Sequence, residues 1–131
     1  RRYPQLVIRM VQEGHEIGSH SRTHPILPLV DDQGLQAEIQ GSKARLEEQL
    51  GREVDSFCYP NGDHDPRVVA MVRQAGYRYA VTTTYGLNSR DADDCTLRRI
   101  DIQGRYGRNL KGDWASGALL MRLSGRLPGM S

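Results

Sequence analysis

The chain contains 131 residues, of which 37% are hydrophobic and 26% charged, with a formal net charge of +2. This length suits one modest domain of ordinary globular composition. The small charge and the lack of a basic stripe with interleaved aromatics argue against nucleic acid as a partner. The chain has no run of about 18 apolar residues, so no transmembrane segment is predicted. No signal peptide is recognisable and two cysteines suggest no disulfide framework, so the location, cytoplasmic or exported, and the oligomeric state stay open.

A helix, a strand and a polar turn are predicted for the first part of the chain. Pro4 suits the first position of a helix over 4–13, and Gly14 provides its stop. A short strand over 15–19 is expected to lead into a turn that contains two histidines. Pro25 ends this turn.

The longest predicted helix spans 32–50. An apolar stripe runs along it, formed by Leu35, Ile39, Ser42, Leu46 and Leu50. Asp31 and Asp32 are expected to begin the helix, because acidic side chains there favour its dipole, and Gly51 is expected to end it.

The rest of the chain continues the alternation of strands and helices. Strands are predicted over 54–59, 79–84 and 97–102, a helix between Pro66 and Gly76, and a weaker helix over 107–124. Strands that alternate with helices indicate an α/β fold with a parallel sheet or barrel. Four strands form an open arc that cannot close into a barrel by itself.

His20 and His24 are the residues that most clearly suggest a functional site. They are four positions apart, and on one turn of helix that spacing places both side chains on one face. Neutral imidazole is a common ligand of zinc, whereas a surface histidine pair at this spacing can equally be a solvated polar face. A catalytic zinc needs a third protein ligand, for which a carboxylate elsewhere is the expected source.

Residues 14–25, which include this pair, closely resemble the second motif of the polysaccharide deacetylase family, the NodB-homology domain. That motif is His-(Ser/Thr)-x-x-His. The similarity continues through 42–47 and through 57–62, which resembles the family segment Phe-x-Tyr-Pro-x-Gly. It covers roughly residues 4–104 in consistent order, and residues 105–131 carry no recognisable motif.

The family that the chain resembles folds as a distorted (β/α) barrel, usually of seven strands. The resemblance therefore implies that residues 1–104 are the C-terminal part of a deacetylase domain, with about four of the seven strands present. Residues 105–131 would form a C-terminal helix and tail. The absent strands would be the first ones of the barrel.

The resemblance also implies a hydrolase that removes N-acetyl groups from a polysaccharide with the help of a divalent metal, for which zinc is the first choice and cobalt and nickel are also suited. His20 and His24 would bind the metal together with an Asp from an early Thr-Phe-Asp-Asp motif, whose other Asp is the general base. Only the adjacent pairs Asp31-Asp32 and Asp93-Asp94 occur here. Both follow the histidines, and neither follows an apolar strand with Thr-Phe, so an upstream segment is the expected source of the motif.

One catalytic candidate follows a predicted strand, and two lie on the last predicted strand. By family analogy, the backbone N–H of Asn61 is an oxyanion donor. The family's late Leu-x-His, which supplies a general acid, has no counterpart, since the corresponding strand spans 97–102 without a histidine. Arg99 and Asp101 alternate on that strand and so point to one face. Arg99 could steady an oxyanion or orient a carboxylate, Asp101 could act as an acid, and a salt bridge at the barrel rim is the alternative for both.

Candidate substrate contacts follow the strand that ends near position 59. Tyr59 would line the sugar groove, or else be a half-buried strand tyrosine. Asp63 and His64 would contact substrate or metal, or else be turn and cap residues. Cys58 departs from the family pattern, which often has Arg at this place.

Two functions of different classes are compatible with these features. The first is a deacetylase whose partner is an N-acetylated polysaccharide, with the 131-residue chain alone expected to be inactive and marginally stable. The second is a non-catalytic carbohydrate-binding protein or degenerate deacetylase homologue, which the absent Asp-Asp motif and the absent late histidine would fit. A general metal-binding regulatory domain is a third interpretation.

Overall fold

The computed structural model describes residues 3–100 together with Gly117, Leu120, Leu123 and Ser124. The helices of the 3–100 range are α1 (Pro4–Gln12), α2 (Asp32–Leu50) and α3 (Pro66–Gln74), and the strands are β1 (Ser56–Cys58), β2 (Tyr79–Tyr85) and β3 (Leu97–Arg99). Two short 3-10 turns span Leu27–Leu29 and Pro60–Gly62. None of the described helices has both the length and the apolar character that a membrane span requires.

Local signals account for the bounds of α2 and α3. The Asp31 side chain accepts a 2.7 Å hydrogen bond from the backbone N–H of Gly34 at the start of α2. Gly51 ends that helix in the left-handed conformation. Asp65 caps α3 in the same way, with its carboxylate 2.7 Å from the backbone nitrogen of Val68. Both predicted helices are confirmed.

The three strands form a parallel sheet in the order β1-β2-β3. Cys58 is paired with Val81, and Tyr85 is paired with Arg99. Parallel neighbours require crossover connections, and α3 provides the one between β1 and β2. The predicted α/β class with a parallel sheet is confirmed.

The strand predicted over 15–19 is wrong. Only Ser19 pairs with the sheet, through a single parallel bridge to Phe57. Its backbone N–H donates to the Ser56 carbonyl, and its carbonyl accepts from the Cys58 N–H, both at 2.8 Å. Glycine at position 18 weakens a strand. The described part of the chain also provides no further strand with which the preceding residues could form a ladder.

One face of the sheet is covered by α2 and α3. The core consists of Leu27, Leu35, Ile39, Val54, Phe57, Tyr59, Val68, Val72, Tyr77, Ala80 and Cys95. Because side chains alternate along a strand, Cys58, Val81 and Thr83 point to the other face, where they are partly or largely exposed. This second face is called the open face below, and it adjoins the histidine turn.

Two predictions for the ends of the chain have different outcomes. The first predicted helix is present as α1, but its apolar face is largely exposed, with Leu6 56% and Met10 37% accessible. The end of the last predicted strand beyond position 100, the boundary at 105 and nearly all of the helix over 107–124 lie outside the described residues.

Candidate metal and substrate site

The imidazole rings of His20 and His24 are in edge-to-face contact, with centroids 4.9 Å apart and planes at 77°. The turn that carries them is not helical, which corrects the predicted geometry, since Ser21 and His24 both have a φ of 62°. Pro25 disfavours the helical conformation of the preceding His24. The Ser21 hydroxyl closes the turn by accepting a 3.0 Å hydrogen bond from the His24 N–H. The spacing therefore predicted the proximity of the rings but not the backbone that produces it.

The orientation of His20 is set by strand β1. Its Nδ1 lies 2.7 Å from the carbonyl oxygen of Cys58. A carbonyl oxygen can only accept, so Nδ1 carries the proton, and in the neutral ring Nε2 keeps its lone pair. A backbone carbonyl that fixes the tautomer of a histidine in this way is a common feature of metal ligands.

A buried carboxylate from α2 holds the loop between the histidines. Glu38 accepts hydrogen bonds from the backbone N–H groups of Arg22 and Thr23, each at 2.8 Å, and from the Thr23 hydroxyl at 2.6 Å. Burial opposes the charged form of Glu38 and acts to raise its pKa, but the hydrogen bonds from Thr23 and Arg22 outweigh it and leave the pKa below its ordinary value. The Glu38 carboxylate is therefore ionised at neutral pH.

The donor set of the described residues fits part of a catalytic zinc site. Two imidazoles are in place, but the described residues contain no cluster of three His, Cys, Asp or Glu side chains. The two Asp pairs make contacts elsewhere. Asp31 caps α2 and Asp32 pairs with Arg67, while Asp93 pairs with Arg73.

The turn after β1 is locked onto β2. Asn61 has a φ of 56° inside the 3-10 turn. The Thr83 hydroxyl donates to the Asn61 carbonyl at 3.0 Å, and the Tyr59 N–H donates to the Val81 carbonyl at 3.2 Å. The Thr83 contact restrains the peptide group that follows Asn61. The peptide group that contains the Asn61 N–H is restrained by its own carbonyl, that of Pro60, which accepts a 3.0 Å hydrogen bond from the Asp63 N–H.

Arg99 reaches from β3 across the open face to β1. Its Nη1 lies 3.5 Å from the sulfur of Cys58, the residue whose carbonyl holds His20. None of the ion pairs among the described residues includes Arg99. A guanidinium is thus placed beside the position where the family often has Arg, although it comes from another strand. Asp101, predicted to share this face, lies outside the described residues.

Tyr59 does not line a groove, which corrects one of its predicted roles. It is fully buried, and its hydroxyl donates to the carbonyl of Cys95 at 2.7 Å. Burial is the main cause that raises the pKa of this phenol. Tyr59 packs on Phe57 with ring centroids 5.3 Å apart, so it faces the helices and not the open face of the sheet.

His64 follows β1, and among the described residues no contact joins it to the histidine pair. Its ring stacks on Tyr59 at 5.0 Å, and its Nδ1 donates to the Gly62 carbonyl at 2.8 Å. A polar cavity of about 490 Å³ adjoins this ring, and its lining includes His64, Thr82, Asn88 and Arg98. The structure therefore separates His64 from the candidate metal ligands.

Asp63 has a role in the turn. It is exposed, and its backbone N–H closes the turn by donating to the Pro60 carbonyl at 3.0 Å. A substrate contact of its side chain stays a prediction.

Two residues that shape this site, Glu38 and Thr83, were not among the candidates predicted from the sequence. Glu38 lies three positions after Leu35 and one before Ile39, so the apolar stripe of α2 already placed it on the buried face. A buried carboxylate needs hydrogen-bond partners, and that requirement was a usable signal. Thr83 had no comparable signal, because its role depends on the register between β1 and β2.

The parallel sheet and its helices define an α/β protein, and the histidine turn lies beside that sheet. A family model described as polysaccharide deacetylase matches residues 1–80, which contain the histidine turn, α2 and β1. The chain therefore belongs to the polysaccharide deacetylase family, and the resemblance noted in the sequence is confirmed.

Individual relatives support this assignment over part of their length. Chitin deacetylase 2 of Saccharomyces cerevisiae is 36% identical over 74 residues, covering 56% of this chain and 24% of the relative. Peptidoglycan-N-acetylglucosamine deacetylase of Bacillus cereus is 32% identical over 78 residues, covering 60% of this chain and 36% of the relative. The chain therefore matches between 24% and 36% of the length of these two curated relatives.

The fold is also that of a solved deacetylase. The Streptococcus pyogenes deacetylase PplD in complex with acetate superposes with a TM-score of 0.80 at 23% identity, covering 95% of this chain and 50% of that chain. This likeness shows a common α/β fold.

Proposed function

We propose that this chain is part of a metal-dependent hydrolase that removes N-acetyl groups from a polysaccharide. The observation that carries the proposal is the contact between the His20 and His24 rings, with His20 oriented by the Cys58 carbonyl. This arrangement leaves His20 Nε2 available as a ligand. The relatives named as chitin and peptidoglycan-N-acetylglucosamine deacetylases favour an N-acetylated sugar polymer as the partner.

His20 and His24 hold the metal in this proposal, and zinc is the ion that best suits such a site. The third ligand is a carboxylate from outside the described residues, which contain no cluster of three candidate ligands. When bound, a divalent ion supplies Lewis-acid polarisation of the acetyl carbonyl and activation of water. The proposal includes a distorted (β/α) barrel in which residues 1–104 are the C-terminal part and a preceding segment supplies the remaining strands.

Two groups of this chain are proposed to act on the substrate. The backbone N–H of Asn61 donates to the oxyanion that develops on the acetyl carbonyl, and the Thr83 contact restrains the turn that holds that N–H. The Arg99 guanidinium steadies the same oxyanion or orients the carboxylate of the general base. Asp101 stays a candidate acid. Water adds to the acetyl carbon, the C–N bond of the amide breaks as its nitrogen takes up a proton, and acetate leaves with a free amine remaining on the sugar.

The proposal is tested with the complete gene product on N-acetylated chitin oligosaccharides and on peptidoglycan. His20→Ala and His24→Ala are expected to abolish acetate release and to lower the zinc content measured after dialysis. His64→Ala is the matched control, because it removes an exposed imidazole that lies apart from the pair, and we expect it to retain zinc. Full zinc content and turnover in His20→Ala would overturn the proposal.

A non-catalytic carbohydrate-binding or degenerate homologue is the competing function. It is favoured by the incomplete ligand set of the described residues. Binding of chitin oligosaccharides by the complete gene product without acetate release, with zinc supplied in excess, would favour this function over the enzyme. The 131-residue chain alone is expected to release no acetate and to self-associate through an edge strand of the sheet that the structure describes.

A further inference from the structure

Glu38 ties the middle of α2 to the loop between the two histidines. Its carboxylate accepts three hydrogen bonds of 2.6 to 2.8 Å, all from Arg22 and Thr23, the residues that separate Ser21 from His24. Glu38 is only 9% exposed. Hydrogen bonds to an ionised acceptor are roughly twice as strong as neutral ones, so this carboxylate is a firm anchor for the loop.

The loop needs an anchor because its backbone is unfavourable by itself. Ser21 and His24 both adopt the left-handed conformation, with a φ of 62°. Residues other than glycine stay in that region only where the surroundings restrain them. The Ser21 hydroxyl restrains the His24 N–H from within the loop, and Glu38 restrains the two residues between them from outside it.

We propose that Glu38 is a positioning residue for the metal, which it does not touch. It holds the loop so that the imidazoles of His20 and His24 stay adjacent before an ion binds. His20 has a second restraint in the Cys58 carbonyl, whereas His24 depends on the loop for its position. This inference rests on the proposed function, and it adds a residue of α2 to the determinants of metal affinity.

The alternative role for Glu38 is to stabilise the fold without affecting the metal ligands. Helix α2 offers a matched control for this alternative. Glu47 lies on the same helix. It accepts a 2.9 Å hydrogen bond from the Val54 N–H and forms a 2.8 Å ion pair with Lys43. It therefore also joins α2 to a neighbouring segment, but that segment is not the histidine loop. Glu38→Gln and Glu47→Gln remove the same charge from the same helix.

The experiment is a Co²⁺ titration of the complete gene product, followed by calorimetry and by the visible absorption of the ion. Glu38→Gln is expected to weaken Co²⁺ binding about tenfold or more, in the range found for residues that orient metal ligands. Glu47→Gln is expected to bind Co²⁺ like the wild type. Thermal melting of both variants without metal measures the effect on folding separately.

Two variants of Thr23 separate positioning from the loss of charge. Thr23→Val keeps the Glu38 carboxylate but removes the 2.6 Å hydrogen bond to it. It is expected to weaken Co²⁺ binding by a smaller factor than Glu38→Gln, whereas Thr23→Ser, which keeps a hydroxyl, should retain the wild-type affinity. These variants also carry the test if Glu38→Gln does not fold.

The outcomes distinguish this inference from the proposed function. If wild type and His20→Ala bind Co²⁺ equally, the proposed metal site is wrong and Glu38 has no ion to position. If binding depends on His20 and His24 but folded Glu38→Gln and Thr23→Val keep the wild-type affinity, Glu38 only stabilises the fold and the inference is overturned.

Discussion

Gly62 lies so close to Thr83 that no side chain fits at position 62. A Cβ atom there would overlap the Thr83 hydroxyl oxygen and lie 2.8 Å from the Thr83 backbone nitrogen. Gly62 also has a φ of 84°, which residues with a side chain rarely adopt. Strand β2 is therefore in direct packing contact with the turn that contains Asn61.

Gly62→Ala is therefore expected to lower the free energy of unfolding by roughly 3 kcal/mol, from backbone strain and from overpacking against a rigid strand. Urea unfolding followed by circular dichroism measures the change. Gly51→Ala is the control, because Gly51 has a φ of 64° but no atom within 4 Å of its added Cβ. We expect it to lose only about 1 kcal/mol, and equal losses in the two variants would contradict the steric argument.

Tyr59→Phe tests whether Tyr59 is structural. Removing the hydroxyl leaves the Cys95 carbonyl without its 2.7 Å donor, which should cost about 1–3 kcal/mol of the free energy of unfolding. Urea unfolding measures this loss, and Tyr79→Phe, at an exposed tyrosine, should change stability by less than about 0.5 kcal/mol. In the complete gene product KM should stay unchanged, so a large rise in KM with intact stability would restore the substrate role.

Asp93 is expected to contribute to stability at neutral and mildly acidic pH and to lose that contribution in strong acid. The Cys95 N–H and the Arg73 guanidinium bind its carboxylate and lower its pKa below the ordinary value. A lowered folded-state pKa gives stability that is present above the unfolded pKa of about 3.9 and is lost as pH falls through the folded pKa.

Urea unfolding between neutral pH and pH of about 2 should therefore show a smaller loss of stability on acidification for Asp93→Asn than for the wild type. Arg73→Gln should reduce the pH dependence less, because the hydrogen bond from the Cys95 N–H remains. An Asp93→Asn profile that runs parallel to the wild type throughout this range would show that Asp93 does not contribute.

Arg99 and Arg98 provide a test of the proposed guanidinium role. Adjacent strand residues point to opposite faces, so only Arg99 reaches the sulfur of Cys58 on the open face. In the complete gene product, Arg99→Ala is expected to lower kcat about a hundredfold, as loss of one oxyanion donor does. Steady-state kinetics on chitin oligosaccharides measure it, and equal effects of Arg98→Ala and Arg99→Ala would argue against the role.

Much of the helical structure could be predicted because its signals are local. Asp31 and Asp65 satisfy backbone donors within three residues of themselves, and Gly51 ends α2 by its own backbone conformation. The strand predicted over 15–19 was wrong for the opposite reason. A strand is stabilised by neighbours, and composition does not show whether neighbours are present.

The candidate site was only partly predictable. The spacing of His20 and His24 indicated that the rings would be close, but Pro25 made the backbone between them a loop and not a helix. Tyr59 had two predicted roles because a single strand position does not reveal which face is covered. The structure places it under the helices, with its hydroxyl bonded to Cys95.

The sequence by itself determined the bounds of α2 and α3, the family and the kinds of side chain available for metal and substrate, because these follow from local conformational preferences and from a motif. Only the tertiary structure decided how the site is oriented. The Cys58 carbonyl selects the His20 tautomer from 38 positions away, Glu38 restrains the loop from α2, and Arg99 reaches Cys58 from β3. Such contacts arise because parallel strands joined by helices bring distant segments side by side, and no local preference encodes which segments meet.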